Sequence, residues 1–193
     1  MPSPSFDPAK AVTFDLPRGQ IRDGGTGSRL LVPAPALLAL CASAPPDAVA
    51  AFARDVGDAI AGGITRRFAA LGTAVGSASV DEVIEQLGGE LAVAGLGMLS
   101  VERWGRALVL VVDHGPAHAD VDKILSPLLA AAVRGATGKE AEIVCLGRDG
   151  QRARFLVTNR RAADKVGEWL RVGVSWGEAL VRLHAGSGQA ETA

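Results

Sequence analysis

Six consecutive residues, Ala107-Leu108-Val109-Leu110-Val111-Val112, are all apolar. Successive side chains of a strand point to opposite faces, so this segment has no face to offer to water and must lie inside the fold. It follows Met98 to Arg103 through a tight joint at Trp104-Gly105, so Arg106 to Val112 reads as the second strand of a hairpin. Two other hairpins flank it. Val12-Thr13-Phe14 and Gln20-Ile21-Arg22 lead through the turn-prone Asp23-Gly24-Gly25-Thr26-Gly27 into a strand Ser28-Arg29-Leu30-Leu31-Val32. Ala141 to Leu146 turns at Arg148-Asp149-Gly150 into Arg152 to Thr158.

Between the hairpins the period changes to that of a helix. Pro33 and Pro35 end the first unit and set up a short apolar helix, Ala36 to Ser43. A longer helix runs from Pro46 to Ala70 with the stripe Val49, Phe52, Val56, Ile60, Ile64 and Phe68. Gly57, Gly62 and Gly63 interrupt it. Each costs about 0.5–1 kcal/mol against alanine, so they imply close approach by another backbone or a bound molecule. Ser79-Val80-Asp81-Glu82 is a capping box opening a helix to Val93, with Gly95 after its end. Ser126-Pro127 reads as N-cap and first residue of a helix carrying Leu128, Leu129, Ala132 and Val133 to Gly135. Arg161 to Arg171 and Trp176 to His184 close the chain, the latter behind a second capping box, Ser175 to Glu178. Hairpin, helices, hairpin, helix, hairpin, helices is the order of an α+β domain, an antiparallel sheet with helices packed on it. One domain is expected over residues 11–185, between mobile tails at 1–10 and 186–193.

A chain of 193 residues buries roughly 70% of the surface it exposes when unfolded. Its residues are 48% apolar and its mean hydropathy is +0.24, more than a plain interior of this size needs. An internal cavity and an interface between copies are the two ordinary places for the surplus. A membrane is excluded: Leu30 to Ala44 is the longest apolar stretch, is broken by Pro33 and Pro35, and falls short of the ~20 residues a bilayer requires. The Met1 to Phe6 segment has neither the basic nor the apolar part of a secretory signal. Cys41 and Cys145 make no disulfide framework, and reduced thiols in the cytoplasm are expected. Net charge is −1 and no basic run exceeds two residues (Arg66-Arg67, Arg160-Arg161), so no nucleic-acid face is expected.

No motif announces catalysis. His114 and His118 stand four apart, a zinc spacing on a helix, but Gly115 and Pro116 deny the helix and leave a solvated loop. Gly24-Gly25-Thr26-Gly27-Ser28 has no phosphate-binding lysine and opens no helix, and Gly95-Leu96-Gly97 follows a helix where a nucleotide loop would precede one. Cys145 lies mid-strand with no histidine near in sequence, as a buried thiol would. Trp169 and Trp176, with Val166, Leu170 and Leu180, serve either core packing or a dimer contact. Neither catalytic residues nor a cofactor are expected.

From Gly19-Gln20-Ile21 through Ser28-Arg29-Leu30-Leu31-Val32-Pro33, the chain resembles the opening of the 4-vinyl reductase domain family. The glycine-bearing helix Phe52 to Arg67, Ala94-Gly95-Leu96-Gly97 before two strands, Leu128 to Gly138 and Glu140 to Phe155 continue the likeness, over roughly Phe14 to Thr158. That family shares its fold with small transport-particle (TRAPP) subunits and includes sensors of aromatic hydrocarbons, so the resemblance implies a pocket for a small apolar ligand. Many members hold zinc with one glutamate and three cysteines around the last hairpin. Glu142 and Cys145 fit a Glu-x-x-Cys pair in one register, but the later cysteine falls on Ala153 and the earlier one before Pro127, where there is none. Keeping Gly138 in line moves Cys145 onto the glutamate. Two ligands cannot hold a structural zinc that wants four, so no metal is expected. The missing ligands, and the lack of a DNA-binding or ATPase segment, weaken the likeness to a sensor. The Gly97-region strands and the Ser126 to Ala136 helix are also similar to the small D subunit of bacterial cellulose synthase, a ring-forming assembly protein.

Two expectations follow. In the first, the chain is a standalone non-catalytic module enclosing a small apolar ligand between walls formed by Phe52, Ile60, Phe68, Met98, Trp104, Leu129, Cys145 and Phe155, dimeric and acting through partner proteins. In the second it is an assembly subunit whose surplus apolar area lies in contacts with copies of itself, on the helix from Pro46 or the C-terminal helices.

Overall fold

The apolar strand does lie inside, covered on both faces. In a computed structural model that describes residues 5–24, 27–116, 118 and 120–188, the elements run in chain order as follows. They are α1 (Pro8–Ala11), β1 (Val12–Asp15), β2 (Gln20–Asp23), β3 (Ser28–Arg29), α2 (Ala34–Ser43), α3 (Pro46–Ala70) and α4 (Val80–Val93). There follow β4 (Met98–Trp104), β5 (Ala107–Asp113), α5 (Val121–Thr137), β6 (Glu142–Asp149), β7 (Arg152–Thr158), α6 (Arg160–Arg171) and α7 (Trp176–Gly188). β1, β2 and β3 form a small antiparallel sheet, and the larger antiparallel sheet has the order β4-β5-β7-β6. The fold is α+β. The tail expected from Gly186 onward lies outside the described residues beyond 188, as do Gly25 and Thr26 of the glycine cluster and Ala117 of the histidine loop.

Alternation along β5 and β7 builds two cores. Leu110, Val112, Ala153 and Phe155 point to one side, where they join Ile64 and Phe68 of α3, Leu87 and Leu91 of α4, and Leu125 and Leu129 of α5. Val109, Val111 and Leu156 point to the other, against Val166 of α6 and Ala179 and Leu180 of α7, with Trp169 and Trp176 at the rim. The C-terminal helices thus give the sheet its second cover, and the two tryptophans serve that packing. Burying such side chains contributes roughly 1.5–3 kcal/mol each.

Local signals set the ends. Ser79 Oγ accepts from the Glu82 N–H at 3.2 Å while Glu82 Oε2 accepts from the Ser79 N–H at 2.7 Å, the reciprocal cap read from the sequence. Gly138 ends α5 in the left-handed region, φ 68°, its N–H on the Arg134 carbonyl.

Three expectations change. The helix read from Ser126 begins at Val121, so Pro127 stands inside it. An interior proline costs about 3 kcal/mol, but Val121, Ile124 and Leu125 before it are buried in the core and offset that cost. The strand read as Ser28 to Val32 stops at Arg29, because its register (Ile21 opposite Arg29) leaves β2 only Gln20 to oppose Leu30, and Gly19 turns away at φ 62°. The mobile tail expected through Lys10 holds α1 instead: Asp7 caps it on the Ala9 N–H at 3.0 Å, and Phe6 packs over Arg67.

The glycines of α3 divide by role. A Cβ at Gly57 would lie well inside contact distance of the Leu128 carbonyl oxygen and 2.8 Å from Ala131 Cβ, so this glycine lets α3 and α5 touch backbone to backbone. Gly62 has nothing nearer than an arginine tip at 3.5 Å.

Candidate functional site

The eight residues expected to line a pocket separate into two groups. Ile60, Phe68, Leu129 and Phe155 are buried in the first core, and Cys145 packs on its edge. Phe52, Met98 and Trp104 are at the surface. Five therefore fill space together and three do not join them. Cys145 also borders an open groove of about 550 Å³ between β6 and α6, with Ile143, Ala163, Asp164 and Arg171. Burial, with the nearby Asp122 charge, pushes its thiol up to about 11, so it is a proton-bearing packing group at neutral pH. His114 and His118 are exposed, and among the described residues no three His, Cys, Asp or Glu side chains converge.

Trp104 belongs to an aromatic and charged corner. Its ring meets Trp176 edge-on at 5.1 Å, Arg154 stands 5.1 Å over the Trp176 ring, and His184 Nε2 lies 2.8 Å from the Trp104 carbonyl oxygen. The indole N–H donates to Glu102 Oε2 at 2.9 Å. Arg152 Nη2 and Arg154 Nε donate to the same carboxylate at 3.0 and 3.3 Å. The indole first, and then Arg154 and Arg152, hold the Glu102 carboxyl below the usual range against the opposing effect of burial.

A second polar centre has no counterpart in any sequence motif. Glu90 on α4 is 1% exposed and is clamped from both oxygens. Arg67 Nη1 donates to Oε1 at 2.6 Å and Arg29 Nη2 to Oε2 at 2.9 Å. Arg67 Nε donates to Gln86 at 2.8 Å, and its Nη2 is buried without a hydrogen-bond partner, a state costing about 1–3 kcal/mol or more for a charged group. Beside the clamp Arg66 Nη2 reaches Asp23 Oδ2 at 3.1 Å. These groups, with Lys10, Gly24 and Gly63, surround a depression of about 160 Å³. Its signal in the sequence is the stripe of α4, where Gln86 and Glu90 occupy positions in step with Val83, Leu87 and Leu91. Polar residues there must have buried partners.

The third feature is apolar. Leu30 is 87% exposed, Leu16 79% and Leu31 74%, and Phe14, Val32 and Leu40 are exposed beside them in sequence. α2 contributes no fully buried residue. Large exposed apolar side chains mark contact sites where they form a contiguous patch.

No protein-family model matches the chain, and no curated protein matches it. Among the described residues no helix is long and apolar enough to cross a membrane.

Proposed function

We propose that the chain is a non-catalytic assembly module that docks to copies of itself through its N-terminal sheet and α2. The observation that carries this reading is the exposure of Phe14, Leu16, Leu30, Leu31, Val32 and Leu40 within 27 residues of chain, 14 to 40. Covering each side chain fully is worth roughly 1.5–3 kcal/mol. Association costs on the order of 4–15 kcal/mol in lost freedom. Several must therefore be covered by one partner, and a second copy offers the same patch for a two-fold contact. Enclosure of a small apolar ligand has less support, because five of its eight proposed wall residues fill the space they would have enclosed. The assembly reading agrees with the likeness to the ring-forming D subunit.

Sedimentation velocity at micromolar concentration tests it. The wild-type chain is expected to sediment as a dimer or larger, and the doubly substituted Leu30→Asp, Leu31→Asp chain as a monomer with an unchanged far-UV spectrum. A monomeric wild type ends the proposal.

A further inference from the structure

We infer that the depression between the N-terminal sheet and the last turns of α3 binds a phosphoryl group. Five elements build it. Gly63, Arg66, Arg67 and Ala70 share one face of α3 by their three- and four-residue spacing. β3 contributes Arg29, α4 contributes Glu90, α1 contributes Lys10, and the end of β2 contributes Asp23. The space, about 160 Å³, is on the order of ten times what a single water needs.

Its charge is unbalanced. Lys10, Arg29, Arg66 and Arg67 face two carboxylates, Asp23 and Glu90, and Lys10 also lies 3.5 Å from Asp7, which leaves a formal surplus of one positive charge. A network serving only to tie β3 to α3 and α4 would need no more cations than anions. Arg29 spends one terminal nitrogen on Glu90 and Arg66 one on Asp23. Their remaining guanidinium N–H groups have no hydrogen bond to the described residues, and the planar fork suits a tetrahedral oxyanion. A phosphoryl group offers these forks three acceptor oxygens where a single carboxylate offers two.

Glycine keeps the floor open. A Cβ at Gly63 would stand 3.2 Å from Glu90 Oε1 and 3.7 Å from Arg67 Nη1, on the clamp itself. The glycines of α3 imply a neighbouring backbone or a bound molecule; Gly57 meets the backbone of α5, and Gly63 meets this charged hollow. Phe6 helps fix the Arg67 guanidinium, its ring 5.0 Å from the guanidinium carbon and seated on Gly89, where any side chain would strike it.

Thermal unfolding and calorimetric titration with inorganic phosphate test the site, each set against sodium chloride at equal ionic strength. Phosphate is expected to raise the melting temperature of the wild type above the chloride control. The Lys10→Ala, Arg66→Ala chain, altered only at exposed positions, is expected to unfold cooperatively in chloride and to bind phosphate at least about ten-fold more weakly, the loss of charge-assisted hydrogen bonds. Glycerol phosphate distinguishes the sources. Binding as tight as phosphate or tighter identifies a phosphorylated metabolite, and binding of phosphate alone identifies the free ion. Three results overturn the assignment: phosphate no more stabilising than chloride, acetate as effective as phosphate, or an unchanged response in the double variant.

Discussion

Replacing Gly57 with alanine should destabilise the protein, and the same replacement at Gly62, five residues along the same helix, should stabilise it. In a free helix both changes are worth about 0.5–1 kcal/mol in favour of alanine. The surroundings decide the sign. At Gly57 the new methyl would stand 2.8 Å from Ala131 Cβ and 3.1 Å from the Ala132 nitrogen, with the Leu128 carbonyl oxygen closer still. Carbon atoms prefer about 3.5–4.0 Å, so α5 would have to retreat by roughly 1 Å. It cannot do so freely, because Leu125, Leu128, Leu129 and Ala132 are buried. Overpacking of this kind costs typically about 1–3 kcal/mol and occasionally more. After the propensity gain, Gly57→Ala is expected to lose about 1–2 kcal/mol. For a chain of this size each kcal/mol moves the melting temperature by about 2–4 °C, so a fall of several degrees is expected. At Gly62 the nearest neighbour is the Arg66 tip at ordinary contact distance, 3.5 Å, and a rise of a few degrees is expected. Urea unfolding followed by tryptophan fluorescence gives both free energies. Gly57→Ala melting at or above the wild type would show that α3 and α5 do not meet where the structure has them.

Glu90→Ala leaves Arg29 and Arg67 without their shared carboxylate, and breaking a buried pair costs about 3–5 kcal/mol. Because both arginines retain some exposure, a loss near the low end is expected in urea unfolding, with Glu90→Gln intermediate. Glu102 titrates below the usual range when folded. Its stabilising contribution is therefore complete above the unfolded-state value of 4.5 and is lost as pH falls through the lower folded value. Trp104→Phe removes the leading cause, so the urea midpoint of that variant should decline less between about pH 5 and pH 3 than that of the wild type. An equal decline would remove the indole from the account. With its thiol near 11, Cys145 should alkylate far more slowly than a free cysteine at about pH 8, measured by peptide mass spectrometry, until urea unfolds the chain. Rapid labelling of the native protein would contradict its packing on the core.

What the sequence disclosed was local. The limits of α3 follow from Pro46 and the apolar stripe that runs on to Phe68, the start of α4 follows from Ser79 and Glu82, and the burial of β5 follows from six apolar residues in a row. Each is decided by side chains within a few positions of one another. The start of α5 was not legible, because Ser126-Pro127 imitates a helix opening. Only the burial of Val121, Ile124 and Leu125 under other elements carries the helix through the proline. The clamp on Glu90 was illegible for the same reason at longer range: its arginines lie 61 and 23 residues away, and no spacing rule links them. Two polar residues in step with an apolar stripe mark that a partner exists without naming it.

The surplus of apolar residues, which suggested a hollow or an interface, divides in the structure into two accounts with different consequences. One part is consumed by covering the sheet twice. A strand apolar on both faces obliges a second layer, and Val166, Ala179 and Leu180 supply it. That part belongs to folding, and exchanging its residues for polar ones should abolish the native state. The other part lies in the N-terminal sheet and α2; α2 meets the first core through half-buried groups such as Leu38, Cys41 and Ala44, and the sheet is tied to α3 and α4 by the Arg66–Asp23 and Arg29–Glu90 ion pairs. Its large side chains contribute little to that core, since they remain in water. Charging them therefore removes no buried contact. Because the two groups of side chains are physically separate, the proposed self-association should be abolished by such charges without loss of the fold, which a surplus buried around an internal ligand would not allow.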